Sequence, residues 1–283
     1  CLSRSVMSRA PEQPRDPIAW CAALAVGFWL LARGKAFRSF QVFGHLEGPR
    51  WPAQKELLRL GVPMGFSYLV EISAFTLMAL FIALIEFALS LPVFLFFDKT
   101  THLMQFVEHH RWIPALNINY TLGVDGISVL FLLLTTLIIL LSILVSWEAI
   151  TDKVPEFFIS LLLLEGAMIG VFCATDFFLF YIFWEAMLIP MFLIIGVWGG
   201  PNRIYATLKF FLYTLIGSLL MLVGIILLYL NGGHTFDILR LAGQSYPLKL
   251  QLILFWAFFA AFAVKVPMWP VHTWLPDAHT EAP

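Results

Sequence analysis

Four ionisable side chains, Glu165, Glu185, Lys209 and Lys265, stand inside long apolar runs of this 283-residue chain. A charge at the centre of a bilayer costs a few kcal/mol or more, so acids and bases kept there usually mark routes for ions or protons. Burial disfavours the charged form of a carboxyl or an ammonium, and an opposite charge nearby restores it. A lysine facing a carboxylate can therefore hold a proton while the two are close and release it when they part. The ammonium suits this task because it is a compact charge on a flexible stem.

The spacing sets the depth of these groups. Thr175 is the expected tip of a turn between two antiparallel helices, with Glu165 ten residues before it and Glu185 ten after. At 1.5 Å per residue both carboxyls lie about 15 Å from the membrane surface, near the midplane. Lys265 lies deep in an apolar run and is followed at once by Val266, Pro267, Met268, Trp269 and Pro270. Two prolines leave carbonyls without donors, so the helix is expected to break just beyond Lys265. Broken helices at membrane depth line cavities, and transporters place ion sites there.

Each of these groups has a plainer reading. Glu185 could be a protonated carboxyl hydrogen-bonded to a neighbouring helix, and Lys265 could snorkel. Lys209 falls about five residues into its helix, and snorkelling to the cytoplasmic interface is its favoured reading. Glu165 is central but belongs to no motif; it is an auxiliary acid in the same network or a helix contact. His272 and His279 flank Asp277 in VHTWLPDAH and are either proton relays or capping and packing residues. His109 and His110, beside Glu108 in an expected loop, read as structural.

The elements that must hold these groups are transmembrane helices. Hydrophobic residues make up 60% and charged residues 12% of the chain, about half the charged fraction of a soluble domain. Helices are expected at about 18–32, 61–83, 84–97, 126–147, 156–174, 176–198, 205–230 and 250–271. The apolar run 61–97 contains no turn, so one long, tilted or kinked helix fits it better than two, with Pro92 a candidate bend. This gives an all-α polytopic membrane protein with about seven transmembrane helices, one of them broken near Lys265. Arg33, Lys35, Arg38, Arg50, Lys55 and Arg59 place 33–59 in the cytoplasm, and the loop 98–125, with Lys99 and Arg111 alone, faces out. Gly217 and Ser218, with small residues along 257–263, suggest close helix contacts.

Composition excludes other classes. A formal net charge of -1 without a basic tract argues against nucleic-acid binding. Cys1, Cys21 and Cys173 have no ligand spacing, and no flavin, haem or iron–sulfur signature is present. The chain begins at Cys1 and ends at Pro283 without a terminating pattern. It therefore reads as a fragment at both ends, and no signal peptide is assigned.

The strings FVEHHRWIPALNINYTLGVDGISVL (Phe106 to Leu130), FLFYIFWEAMLIPMF (Phe178 to Phe192), IYATLKFFLYTLIGSLLML (Ile204 to Leu222) and FAVKVPMWPVHTWLPDAHTEAP (Phe262 to Pro283) resemble, in order and spacing, the antiporter-like subunit M (chain 4) family of respiratory NADH-quinone oxidoreductase, complex I. The resemblance covers residues 84–283. It implies that Glu185 matches a fifth-helix glutamate that pairs with a seventh-helix lysine, here Lys265. It also places His272 and His279 on the second half of the broken helix. The implied function is proton translocation coupled to quinone chemistry elsewhere. NAD, FMN, iron–sulfur and quinone sites would then belong to partner subunits, with none in this chain. Implied partners are the other membrane subunits, lipid and protons, in a bacterial inner membrane.

The family fold uses two inverted five-helix repeats, of which the chain would supply an incomplete first one and be inactive alone. Residues 1–83, through KELLRLGVPMGFSYLVEISAFTLMALFIA (Lys55 to Ala83), resemble instead a fragment of a multidrug and toxic compound extrusion (MATE) transporter, joined around Ala83 to Glu86. Glu71 would match that family's cation-coupling acid, but the rest of its site is absent. The alternative readings are thus a cation-coupled exporter fragment and an inert fusion.

Overall fold

The computed structural model describes residues 51–101 and 103–283. The expected helix 18–32, Cys1, Cys21 and most of the basic stretch 33–59 lie outside the described residues. The chain divides into two compact units, residues 1–66 and 67–283, and every candidate proton-carrying residue belongs to the second.

Six helices among the described residues are long and apolar enough to cross a membrane. The first, α1 (Trp51–Leu95), is one continuous helix of 45 residues, so the run 61–97 forms no hairpin. It starts ten residues earlier than its apolar run predicts. Pro52 sits in the first turn, where a missing N–H costs nothing, and Lys55, Glu56, Leu57, Leu58 and Arg59 are strong helix formers. The others are α2 (Ser128–Ala149), α3 (Val154–Cys173), the pair α4 (Phe177–Ala186) and α5 (Leu188–Trp198), α6 (Arg203–Asn231) and α8 (Leu248–Lys265). Two short helices, α7 (Ile238–Ala242) and α9 (Trp274–Glu281), complete the chain.

The stretch between α1 and α2 is not simply a loop. It forms an antiparallel hairpin of β1 (Gln105–Ile113) and β2 (Ile118–Val124), turned by a short 3-10 segment and closed by Asn117 at φ 55. Asn tolerates this left-handed conformation. Register shifts interrupt the pairing between Gln105 and Glu108 and between Arg111 and Ile113, which breaks the alternation that would have betrayed the strands. Ile118, 1% exposed, drops into an apolar cluster with Trp184, Met221, Ile225 and Phe236, so the hairpin closes one end of the helix bundle.

The α3–α4 turn is tied to that hairpin. The Thr175 N–H and hydroxyl both donate to the Thr121 carbonyl, at 3.0 and 3.2 Å. Asp176 is buried and accepts from the backbone N–H groups of Phe178, Leu179 and Asn119. It thus caps α4 and anchors β2 with one side chain. Burial pushes the Asp176 carboxyl above its ordinary range, while these N–H bonds pull it back. At the start of α2, Asp125 accepts from the Ser128 N–H at 2.7 Å, the Ile127 N–H at 3.1 Å and the Ser128 hydroxyl at 2.8 Å.

Close approach between helices depends on small residues. A Cβ on Gly217 would lie 3.3 Å from Val264 Cβ, and one on Gly224 would lie 3.1 Å from the Phe258 ring. This brings α6 against α8, as the glycine and small-residue pattern suggested. Gly170 on α3 is tighter still, since a Cβ there would run into the Phe183 ring of α4.

Gly170→Ala is expected to destabilise the protein by about 1–3 kcal/mol through overpacking, read as a lowered thermal midpoint in lipid nanodiscs. Asp125→Ala should cost about 1 kcal/mol through the lost cap. The Ser128 N–H bond holds the Asp125 carboxyl below its ordinary value against the opposing effect of burial. The stabilisation is therefore present above the ordinary carboxylate pKa and fades as pH falls through the depressed one. The gap between wild type and Asp125→Ala should close in acid.

Candidate functional site

Proline chemistry shapes the centre of the bundle. Pro190 cannot donate to the Ala186 carbonyl, and the helix is interrupted at Met187 between α4 and α5. This interruption directly follows Glu185 and Ala186. On α8 the helix ends at Lys265, as the two prolines predict. Because Pro267 has no N–H for the Ala263 carbonyl, the Met268 N–H takes that acceptor at 2.7 Å. That substitution strips Val264 of its own usual donor, and the Trp274 indole N–H supplies one at 2.9 Å. Backbone groups at membrane depth need such partners, so Trp274 on α9 makes the break tolerable.

Lys265 ends the helix with its ammonium over the Trp184 ring, 4.9 Å from the centroid. Glu185 is the residue next to Trp184 and is close enough to act on Lys265 electrostatically. The two form no contact ion pair: among the described residues the ion pairs are His110–Glu108 and Lys209–Asp277. Glu185 Oε1 is buried without a hydrogen-bond partner. The Tyr181 hydroxyl, one turn earlier on α4, lies near the Glu185 carboxyl and the Ser218 hydroxyl of α6. The site therefore contains an acid, a base, a phenol and an aromatic face for the ammonium, with the acid and base separated.

A cavity of about 280 Å³ opens beside Lys265 and is also lined by His279, Trp274, Met187 and Met191. Its volume would accommodate several waters at about 30 Å³ each. His279 is itself exposed. The Nδ1 of His272 is buried without a partner, so His272 does not cap a helix through that atom.

Lys209 has a partner that the sequence reading did not name. Its ammonium donates to Asp277 Oδ2 at 2.7 Å and lies 5.6 Å from the Tyr205 ring centroid. The break after Lys265 folds α9 back along α6 and brings Asp277 to Lys209, a contact that one helix read alone cannot reveal. Glu165 is fully buried on α3, away from any hydrogen-bond donor. His109 and His110 sit on β1, bonded to Thr121 and Glu108. Glu71 is exposed on α1.

Sequence reasoning missed Trp184, Tyr181 and Asp277 as partners of the site, and Glu86 altogether. Tyr181 carried a signal, since it precedes Glu185 by four residues and so shares its helix face. Trp274→Phe keeps an aromatic ring but leaves the Val264 carbonyl unpartnered. It should cost about 1–3 kcal/mol, measured as a fall in the thermal midpoint that Trp256→Phe, at an exposed site, does not produce.

Residues 174–283 match the family described as "NADH:quinone oxidoreductase/Mrp antiporter, TM". NADH-quinone oxidoreductase subunit M of Rhodobacter capsulatus is 51% identical over 218 residues, covering 72% of this chain and 42% of the relative. NADH-ubiquinone oxidoreductase chain 4 of Arabidopsis thaliana is 50% identical over 208 residues, covering 73% of this chain and 42% of the relative. Among solved structures, a chain of respiratory complex I from Thermus thermophilus with bound NADH superposes with a TM-score of 0.66 at 31% identity, covering 76% of this chain and 46% of that one. The chain thus spans less than half the length of these proteins. Over the part they cover, it belongs to the NADH:quinone oxidoreductase/Mrp antiporter family of membrane subunits, alongside the subunit M and chain 4 proteins.

Proposed function

We propose that the chain is part of a proton-translocating membrane subunit of an NADH:quinone oxidoreductase and that Glu185 and Lys265 carry the proton. The observation that carries this reading is the position of Lys265, at the end of a broken helix, beside a cavity and close to Glu185 without touching it. When Glu185 approaches, its carboxylate favours the charged ammonium. When the pair loosens, the ammonium keeps only the Trp184 face, a weaker partner than a carboxylate, and loses its proton to water in the cavity. His279 lines the same cavity and is suited to pass that proton on. Lys209, through its bond to Asp277, holds the second half of the break, and His272, just past the break, is a second candidate relay.

The chain brings the proton-carrying groups alone. NAD, FMN, iron–sulfur and quinone sites are assigned to partner subunits, and the reaction they perform biases the Glu185–Lys265 distance. The partners are the other membrane subunits of the complex, in a bacterial inner membrane. By their resemblance, residues 1–83 are assigned to a transporter-like segment joined near Ala83 to Glu86.

In an assembled complex reconstituted in vesicles, Lys265→Ala and Glu185→Gln should each abolish or strongly reduce proton pumping, followed by a pH-sensitive dye during NADH oxidation. Near-normal pumping by both variants would remove the assignment.

A further inference from the structure

The proposed proton route leaves one buried acid unused. Glu165 is 0% exposed, and neither of its carboxyl oxygens meets a hydrogen-bond donor. Its polar neighbour is a second carboxyl, that of Glu86 on α1, which lies within hydrogen-bonding reach. Glu86 Oε2 is likewise buried without a donor.

The packing explains why they meet. Thr76, Ala79 and Ala83 form a buried stripe on α1, and Glu86 and Ser90 continue it at spacings of three and four residues. Ala79 and Ala83 pack in one core with Ile139 and Ile143 of α2 and Leu161 of α3. Glu165 follows Leu161 by one helical turn, so the stripe of α1 meets the same face of α3. Ser90, one turn beyond Glu86, has its hydroxyl 3.0 Å from that of Thr136 on α2. Among the described residues no other charge acts on Glu165: α2 carries Glu148 alone, exposed near its end, α5 carries no charged residue, and Glu185 of α4 lies with Lys265.

Ionised carboxylates only accept hydrogen bonds, and two placed side by side repel. A proton between them turns the repulsion into a charge-assisted hydrogen bond, with one group donating and the other accepting. We propose that Glu86 and Glu165 form a proton-binding site that holds one proton between α1 and α3. The site lies next to the Lys265 cavity, since Leu164 and Met168, which flank Glu165 on α3, line that cavity. Its use as a loading site for Lys265 rests on the pumping role proposed above; its ability to bind a proton does not.

The test is infrared spectroscopy of the purified protein in lipid nanodiscs, titrated in pH in sodium-free buffer. Wild type should show the carbonyl stretch of a protonated carboxyl at neutral pH, and Glu86→Gln/Glu165→Gln should lose it. Loss of the same band in Glu185→Gln, with the double variant unchanged, would overturn the proposal. So would disappearance of the wild-type band on adding sodium ion, which would make the pair a cation site. Since Gln is close in size and can donate a hydrogen bond, the double variant should fold, as checked by its thermal midpoint. Should it fail to fold, Glu165→Gln alone carries the same test. A wild-type band that persists while Lys265→Ala pumps normally would retain this site and discard the pumping role.

Discussion

Every backbone polar group in the hydrocarbon layer must find a partner inside the protein, and the arrangement of this bundle follows from how the two proline breaks meet that demand. Pro190 interrupts the α4–α5 span next to Glu185, and Pro267 ends α8 at Lys265. Both breaks fall beside the acid and base of the proposed proton route. The second is held open by one indole N–H: without Trp274 on the Val264 carbonyl, the cheapest structure would be one that avoids the break. The same docking of α9 brings Asp277 to Lys209. Backbone satisfaction at Val264 and charge satisfaction at Lys209 are thus two consequences of one fold-back.

Contact distances decide what the acid–base pair can do. A contact ion pair in a low-dielectric interior is costly to separate, which would freeze the proton on the lysine. Lys265 instead rests on Trp184, 4.9 Å from the ring centroid, in a cation–π contact worth about 0.5–2 kcal/mol. The ammonium is thereby held within range of Glu185 without being trapped by it. Tyr181 and Ser218 add hydroxyls beside the carboxyl, so Glu185 has neighbours with which to exchange a proton.

The helices, the single long run at 61–97 and the break after Lys265 could be read in the sequence because they are local: apolar length and proline position fix them within a segment. The pairing of Lys209 with Asp277, across 68 residues, could not, because a lysine near a helix end snorkels by default and nothing local marks a partner. The hairpin at 105–124 escaped for a different reason. Its register shifts spoil the alternation of side chains, and its anchor, Ile118, is buried by helices that lie later in the chain. Glu165 was legible as a buried acid but not as half of a pair, since its neighbour Glu86 sits in a run whose dominant signal was its length.

The two acidic positions of this bundle differ in a way that their types alone do not express. Glu185 has a cation within electrostatic range, an aromatic face beside it and a cavity nearby. Glu165 has only another carboxyl and a wall of aliphatic side chains. The first environment can stabilise a carboxylate; the second can stabilise one only by sharing a proton. Helix α3 separates them, with Glu165 turned toward α1 while Leu164 and Met168 turn toward Lys265. A proton moving between the two proposed sites would have to cross one helix thickness, about 10 Å. That distance exceeds a hydrogen bond and calls for water in the cavity or for rearrangement at Met168 and Met187, flexible side chains that can yield without breaking a backbone bond.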